Sequence, residues 1–291
     1  MANFSTYNKV RVEDGTNVFY REAGSSDAPV MLLLHGYPTS SHMFRDLIPI
    51  LAPYFRVLAP DLPGFGFTEP SSLYKYTFAA IADTIDLFLT KLKVDKFYVY
   101  VFDYGAPTGF RLALKHPERV SGIVSQNGNA YIEGVQSDFW KPIREYWKKP
   151  KSDPTYFDAL SNYVQDPNNV TSQYTDGEAN LDALDPLAWT LDQALLTRPG
   201  QTKIQVELFH DYQLNVELYP KFQEYLRTSN VPVLVAWGKN DTIFPPVGAE
   251  AYKRDVKNLA FHYVDGGHFA LESHVEDIAG KIIEVFGKKT L

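Results

Sequence analysis

Three side chains in this sequence could together supply a nucleophile, an acid and a base. Asp103 opens the turn that follows an apolar run at residues 97–102, and Asp241 and His268 each follow a later apolar run. A carboxylate can attack a saturated carbon, and a histidine oriented by a second carboxylate can then activate water against the resulting ester. The chain contains no Cys, so its nucleophiles must be oxygen or nitrogen groups.

The elements that must hold these residues alternate between strands and helices. Apolar, β-branched runs predict strands at residues 30–34, 56–59, 97–102, 120–126, 231–237 and 259–264. Helical patterns lie at residues 41–51, 78–92, 106–116 and 278–286, with Thr77 as the N-cap of the second. Two runs at residues 10–13 and 18–22 flank Asp14-Gly15 and predict a hairpin. This alternation predicts an α/β protein with a mostly parallel central sheet and helices on both faces.

The alternation is interrupted in the second half of the chain by helical segments rich in Trp, Tyr and Pro. It resumes at Val231. A chain of 291 residues can bury one large core with a subdomain inserted into it. We therefore expect a core formed by residues 1–128 and 228–291, and an inserted helical cap at residues 129–227.

Composition excludes several classes of partner. The formal net charge is −7 and the sequence pI is about 5.5, which gives no basic surface for nucleic acid or anionic lipid. No apolar run approaches the ~18 residues of a membrane span, and the first ten residues do not resemble a leader. We therefore expect a cytoplasmic protein with no nucleic-acid or membrane partner and leave the oligomeric state open. The proposed chemistry needs no metal or organic cofactor.

Asp103 fits a sharp turn from a strand to a helix, which lifts a side chain above the sheet edge. Gly105 supplies the small residue that such a turn needs, whereas Val101 stands where a second small residue is usual. Asp103 could also be an ordinary N-cap, Asp241 could form an Asx-turn, and a loop histidine is often solvent-exposed. Glu133 is the alternative acid. The order of nucleophile, acid and base at three strand ends favours the catalytic interpretation.

Three segments carry a resemblance to a known family. They are His35-Gly36-Tyr37-Pro38, Asp61-Leu62-Pro63-Gly64-Phe65-Gly66 and Asp103-Tyr104-Gly105-Ala106-Pro107. They resemble the epoxide hydrolases of the α/β-hydrolase fold, to which haloalkane dehalogenases are closely related. The resemblance covers almost the whole chain and weakens in the cap. It implies that Asp103 is the nucleophile, that His268 and Asp241 are base and acid, and that the N–H groups of Tyr37 and Tyr104 form the oxyanion hole.

The leaving group distinguishes the two activities. An opening epoxide develops an alkoxide, which needs a proton donor such as a phenol, whereas a halide needs only N–H donors. Related dehalogenases usually carry Trp beside the nucleophile and Asn in the His-Gly-x-Pro turn, where this chain has Tyr104 and Tyr37. We therefore expect a small apolar epoxide as substrate, with haloalkane dehalogenation as the alternative.

The resemblance also implies two proton-donating tyrosines in the cap. Tyr212 lies where the second is expected, and Tyr146 is our choice for the first, with Tyr156 and Tyr163 as alternatives. A packed aromatic side chain is the plainer interpretation of most of them.

Two further alternatives remain open at this point. One of Trp140, Trp147 and Trp189 could supply an N–H group to a halide, although core packing is the plainer role for each. The chain could also be a receptor for a small ligand on the same fold, without useful turnover.

Overall fold

The computed structural model describes residues 5–287, and an eight-stranded sheet lies at its centre. The strands are β1 (Thr6–Arg11), β2 (Asn17–Ala23), β3 (Val30–Leu34), β4 (Arg56–Pro60), β5 (Phe97–Val101), β6 (Val120–Gln126), β7 (Val233–Gly238) and β8 (Leu259–Val264). Their order in the sheet is β1-β2-β4-β3-β5-β6-β7-β8. β2 pairs antiparallel with both of its neighbours, whereas β3 to β8 pair in parallel. The carboxyl ends of these parallel strands therefore meet at one edge of the sheet.

Helices cover this sheet and fill the long insertion. They are α1 (Leu47–Leu51), α2 (Phe78–Lys91), α3 (Gly105–Lys115), α4 (Trp140–Trp147), α5 (Pro154–Gln165), α6 (Pro167–Thr175), α7 (Pro186–Leu196), α8 (Gln201–Asp211), α9 (Gln213–Thr228), α10 (Pro246–Ala251), α11 (Ala270–Ser273) and α12 (Val275–Phe286). No helix within residues 5–287 combines the length and apolarity that a membrane span requires.

Side chains along each parallel strand alternate between two buried cores. Leu32 of β3 belongs to the core covered by α2 and α3, and its neighbour Met31 belongs to the core covered by α1 and α12. Both faces of the central parallel strands exclude water, which explains why these strands are continuous apolar runs. β8, at the edge of the sheet, is mostly half-buried. α2 begins at the predicted N-cap, since the side chain of Thr77 accepts the N–H of Ala80 at 3.1 Å.

Helices α4 to α9 lie between β6 and β7. α5, α6 and α7 each begin with a proline, where the missing N–H costs no hydrogen bond. The residues before these prolines are Asp153, Asp166 and Asp185, and each accepts a backbone N–H as an N-cap. The cap predicted at residues 129–227 spans this helical segment, and α9 continues to Thr228.

The predicted hairpin forms with a longer turn than expected. β1 ends at Arg11 instead of continuing through residues 12 and 13. The N–H of Thr16 donates to the side chain of Asp14 at 2.8 Å, and this contact stabilises a turn over residues 12–16.

The predicted helix at residues 41–51 is split into a 3-10 turn, Ser41–Phe44, and the short helix α1. Pro49 has no N–H to donate to the carbonyl of Arg45, so a continuous α-helix would lose a hydrogen bond at this point.

Candidate active site

Asp103 lies at a sharp bend between β5 and α3. Its φ angle is 46°, in the left-handed region that Asp tolerates better than most residues. Gly105 is required two residues later, because a Cβ there would overlap the carbonyl oxygen of Leu34. The side chain of Val101 packs where a Cβ on Gly109 would collide with it. A glycine on α3 thus compensates for the absence of a small residue at position 101.

Two backbone N–H groups hold the carboxylate of Asp103. The N–H groups of Tyr37 and Tyr104 each donate to its Oδ1 over 2.6 Å. Tyr37 comes close because it follows β3, which pairs with β5. Gly36 permits this approach, since a Cβ there would overlap the Asp103 carboxylate. Two donors thus converge on one oxygen, the arrangement that stabilises a developing oxyanion.

Burial raises the pKa of Asp103 to about 6, although the nearby His268 and the two N–H groups act in the opposite direction. The carboxyl group is therefore mostly ionised at neutral pH. Removal from water also leaves its second oxygen, Oδ2, poorly solvated, which favours its reaction with an electrophile.

His268 lies between two carboxylates. Its Nδ1 is 2.9 Å from Oδ2 of Asp241, and its Nε2 is 3.8 Å from Oδ2 of Asp103. An ionised carboxylate can only accept, so Nδ1 carries the proton of the neutral ring and Nε2 is its free base. Nε2 is buried without a hydrogen-bond partner among the described residues. It can therefore accept a proton from a water molecule beside Asp103.

The charges around His268 determine its basicity. Burial by itself lowers the pKa of His268, but the negative charges of Asp241 and Asp103 outweigh burial, and the pKa is raised above its ordinary value. A base with a raised pKa binds a proton from water more firmly during catalysis.

Asp241 is also held by Asn127, a residue not predicted as part of the site. Nδ2 of Asn127 donates to its Oδ2 at 2.6 Å. The backbone N–H groups of Ile243 and Phe244 donate to its Oδ1 at 2.7 and 3.0 Å. Asn127 directly follows β6, at the same sheet edge as Asp103. That position is the signal by which the sequence could have indicated it.

Four buried tyrosines lie close enough to Asp103 to be affected by its charge. The hydroxyls of Tyr37 and Tyr104 are buried and have no hydrogen-bond partner within residues 5–287. Tyr212 is fully buried, and its ring centroid lies 5.8 Å from the ring centroid of Tyr104. The hydroxyl oxygens of Tyr212 and Tyr219 are 3.2 Å apart. Burial raises the pKa of each of these four phenols, and the charge of Asp103 raises it further. All four are therefore protonated at neutral pH.

Tyr146, our choice for the first cap tyrosine, does not join this group. Its hydroxyl donates to the carbonyl oxygen of Lys151 over 2.5 Å, and its ring stacks on Tyr156. Tyr146 stands at the carboxyl end of α4, so its hydroxyl reaches the following loop instead of Asp103. The choice of Tyr146 is therefore wrong for this structure.

Tyr163, one of the two alternatives, reaches the site. It lines a cavity of about 50 Å³ together with His268, and Nε2 of Gln173 lies 3.4 Å from its hydroxyl. Burial raises the pKa of Tyr163 to about 12, and the charge of Asp103 contributes to the increase. Tyr163 therefore lies beside His268, whereas Tyr146 does not line this cavity.

Two of the three tryptophans considered as alternative halide donors use their indole N–H groups elsewhere. The indole N–H of Trp140 donates to the carbonyl of Ile243 at 3.0 Å, and that of Trp147 donates to the carbonyl of Phe209 at 2.8 Å. Trp189 lines a groove between α6 and α7. Core packing is therefore the role that the contacts give to Trp140 and Trp147.

Two other candidate features lie outside the site. Glu133, the alternative acid, forms an ion pair with Arg254. Within residues 5–287, no group of three or more His, Asp or Glu side chains is arranged to hold a metal ion. The acid that contacts His268 is Asp241.

Comparisons with known proteins agree with this architecture. A family model described as alpha/beta hydrolase fold matches residues 29–275. An uncharacterized hydrolase of Saccharomyces cerevisiae is 56% identical over 97% of both chains. A haloalkane dehalogenase of Mesorhizobium japonicum is 28% identical over 90% of this chain and 85% of its own length. The structure of haloalkane dehalogenase DbeA from Bradyrhizobium elkani has a TM-score of 0.77 and 24% identity, and the match covers 97% of this chain and 99% of DbeA.

These matches confirm the predicted fold class. They also agree with the predicted kinship to haloalkane dehalogenases, whereas the resemblance to epoxide hydrolases stays a prediction. The family model covers most of the chain, and the yeast relative extends over nearly all of it. This chain belongs to the α/β-hydrolase fold family.

Proposed function

We propose that this protein hydrolyses small apolar epoxides to vicinal diols through a covalent ester on Asp103. The proposal rests on one observation. One oxygen of the buried Asp103 carboxylate accepts two backbone N–H groups, and the other faces His268 at 3.8 Å. The turn holds an aspartate where serine hydrolases carry their hydroxyl nucleophile. A carboxylate displaces a leaving group at saturated carbon and forms an ester whose carbonyl belongs to the enzyme.

In the first step, Oδ2 of Asp103 attacks a ring carbon, and the bond between this carbon and the ring oxygen breaks. The electron pair stays on the ring oxygen, which takes a proton from a tyrosine. We assign Tyr212, the second cap tyrosine, as this donor, and Tyr163 as the first cap tyrosine. The products are an ester on Asp103, a hydroxyl on the neighbouring carbon and a tyrosinate. Such a proton transfer contributes about 10²–10⁴-fold to the rate.

In the second step, Nε2 of His268 takes a proton from water, and the water oxygen attacks the ester carbonyl of Asp103. Negative charge develops on Oδ1, where the N–H groups of Tyr37 and Tyr104 stabilise it. The bond between Cγ and Oδ2 then breaks, and His268 returns its proton to the departing oxygen. The proton left on the new carboxyl group restores the tyrosine. One oxygen of Asp103 has then come from water.

The donors near Asp103 favour an oxygen leaving group. Phenols can transfer a proton to an alkoxide, whereas indole and amide N–H groups can only solvate a halide. The hydroxyls of Tyr37 and Tyr104 are buried without a partner among the described residues, and the indoles of Trp140 and Trp147 are bonded to backbone carbonyls. These contacts support an epoxide, and not a haloalkane, as the substrate.

Haloalkane dehalogenation is the second candidate, and the comparisons favour it. The relative from Mesorhizobium japonicum, similar over 90% of this chain, is named a haloalkane dehalogenase. The first step would then release a halide without proton transfer, and the second step would be unchanged. Phenol O–H groups would have to solvate the halide in place of indoles.

A matched panel of substrates tests the proposed function. Aryl and alkyl epoxides are compared with chloroalkanes and bromoalkanes of the same carbon skeletons, with diol, alcohol and halide measured as products. We expect diol from the epoxides, and halide release no faster than with the Asp103→Ala variant. Steady halide release with no diol from any epoxide would make haloalkane dehalogenation the favoured function instead of epoxide hydrolysis. Binding without any product would indicate the receptor alternative.

Ester formation should depend on the ionisation of Asp103. Because the pKa of Asp103 is raised to about 6, the rate of ester formation in a single turnover should be constant above pH 7 and fall about tenfold per pH unit below the pKa. Circular dichroism at each pH controls for unfolding. A rate that stays constant down to pH ~4.5, close to the ordinary range of an aspartate, would contradict the burial effect.

A further inference from the structure

We propose that Tyr219 is a positioning residue, which orients the hydroxyl of Tyr212 and stabilises the tyrosinate formed there. The assignment concerns the proton transferred in the first step, and so it rests on the proposed function. The two tyrosines are seven residues apart on one helical stretch, so they lie on the same face. Their hydroxyl oxygens are 3.2 Å apart, and both side chains are buried.

Asn129 determines the direction of the hydrogen bond between the two hydroxyls. Its Oδ1 accepts the backbone N–H of Tyr131 at 3.2 Å, and its Nδ2 donates to the Tyr131 carbonyl at 2.8 Å, which fixes the orientation of the amide. The same Nδ2 donates to the hydroxyl oxygen of Tyr219 at 3.1 Å. The proton of Tyr219 then has the oxygen of Tyr212 as its remaining partner among the described residues. Tyr219 therefore donates to Tyr212.

This direction leaves the proton of Tyr212 available for a substrate oxygen. The ring of Tyr212 packs against the rings of Trp140 and Tyr104, with centroid distances of 4.6 and 5.8 Å. It therefore has little freedom to rotate out of this position. When Tyr212 gives up its proton, the hydrogen bond from Tyr219 becomes a bond to an anion, which is stronger than a bond to a neutral phenol. The gain arises as charge develops, so it accelerates the step instead of tightening substrate binding.

Two charged groups act on this pair. Burial raises the pKa of Tyr219 most, and its hydrogen bonds with Tyr212 and Asn129 lower it. The charge of Asp103 adds to the increase, and the guanidinium of Arg111 opposes it. Arg111 extends from α3 and donates to Oδ1 of Asn215, which lies between the two tyrosines in sequence. A cation held beside the pair supports a transient negative charge on the two phenol oxygens.

Single-turnover kinetics with an epoxide test this role. The Tyr219→Phe variant should form the ester about tenfold more slowly, because the tyrosinate loses a charge-assisted hydrogen bond. Breakdown of the ester uses His268 and requires no tyrosine proton, so its rate should be unchanged, and KM should change little. An equal loss in both steps would overturn the proposal, because it would indicate a general structural defect.

A double-variant comparison provides the second readout. Tyr212→Phe alone should slow ester formation about 10²-fold, and adding Tyr219→Phe should cause no further loss, because Tyr219 acts only through Tyr212. Losses that multiply would overturn the role of Tyr219 while leaving the proposed function intact. Full-rate ester formation by Tyr212→Phe would instead refute the donor assigned under the proposed function. Tyr225→Phe, on the same helix, is the matched control and should retain both rates.

Discussion

The His268→Gln variant is expected to accumulate a covalent ester on Asp103. Ester formation needs no base, so Oδ2 of Asp103 still attacks the epoxide. Gln cannot take a proton from water, and ester breakdown should therefore slow by about 10⁴-fold, near the upper end of the range for a catalytic base. Intact-protein mass spectrometry should show an increase equal to the mass of the substrate, located on the peptide that contains Asp103.

Two variants control this experiment. Asp103→Ala should show neither the adduct nor turnover. His262→Gln alters a histidine of β8 that pairs with Asp277, and it should retain full turnover with no adduct. Diol formation by His268→Gln at the normal rate, with no mass increase, would contradict the assigned base.

Heavy-oxygen water provides an independent test of the same two steps. In a single turnover with enzyme in excess, the label should enter the carboxylate of Asp103, because water attacks the ester carbonyl and not the substrate carbon. The diol should then carry an oxygen from the enzyme. Label found only in the diol would mean that water opens the ring directly and that Asp103 acts as a general base.

The Asp241→Asn variant is expected to lose about 10⁴-fold in turnover while keeping its fold. Its remaining carbonyl oxygen can still accept the N–H groups of Ile243 and Phe244. Its new amide nitrogen would donate to Nδ1 of His268, so the ring proton would move to Nε2, which then cannot accept a proton from water. A comparable loss follows when the acid of a catalytic triad is changed to an amide. The ester should accumulate, as it does in His268→Gln.

Asn127 opposes this orientation of the new amide, because its Nδ2 donates to the oxygen of Asp241 that would become a nitrogen. The matched control is Asp265→Asn, which alters an exposed aspartate paired with Lys239 in the loop before His268. Thermal unfolding should be measured first, and we expect a Tm within a few degrees of the natural protein. Full turnover by Asp241→Asn at an unchanged Tm would exclude an orienting role for Asp241.

The centre of the site could be predicted because it depends on the ends of strands. Asp103 follows β5, Asp241 follows β7, and His268 follows β8. Apolar, β-branched runs reveal buried strands without tertiary information, and the carboxyl ends of parallel strands share one sheet edge. Residues at these ends must therefore meet, and the same argument could have indicated Asn127 at the end of β6.

The proton donors could not be selected by this argument. Tyr146 and Tyr163 both lie on helices between β6 and β7, and both have the spacing of an ordinary packed aromatic. Which one faces Asp103 depends on how each helix is turned on the core, and this is determined by many side-chain contacts. The hydroxyl of Tyr146 bonds to Lys151, whereas that of Tyr163 lies beside the cavity of His268.

The sequence by itself determined the fold class and the two carboxylates and histidine at the sheet edge, because both follow from local periodicity and from the direction of parallel strands. Tertiary structure alone decided which phenols lie near Asp103 and where the indole N–H groups donate. Trp140 donates to the carbonyl of Ile243, 103 residues away, and Asn129 orients Tyr219 across 90 residues. Contacts between segments so distant depend on how the helices of the cap pack against one another and against the core, which no local pattern encodes.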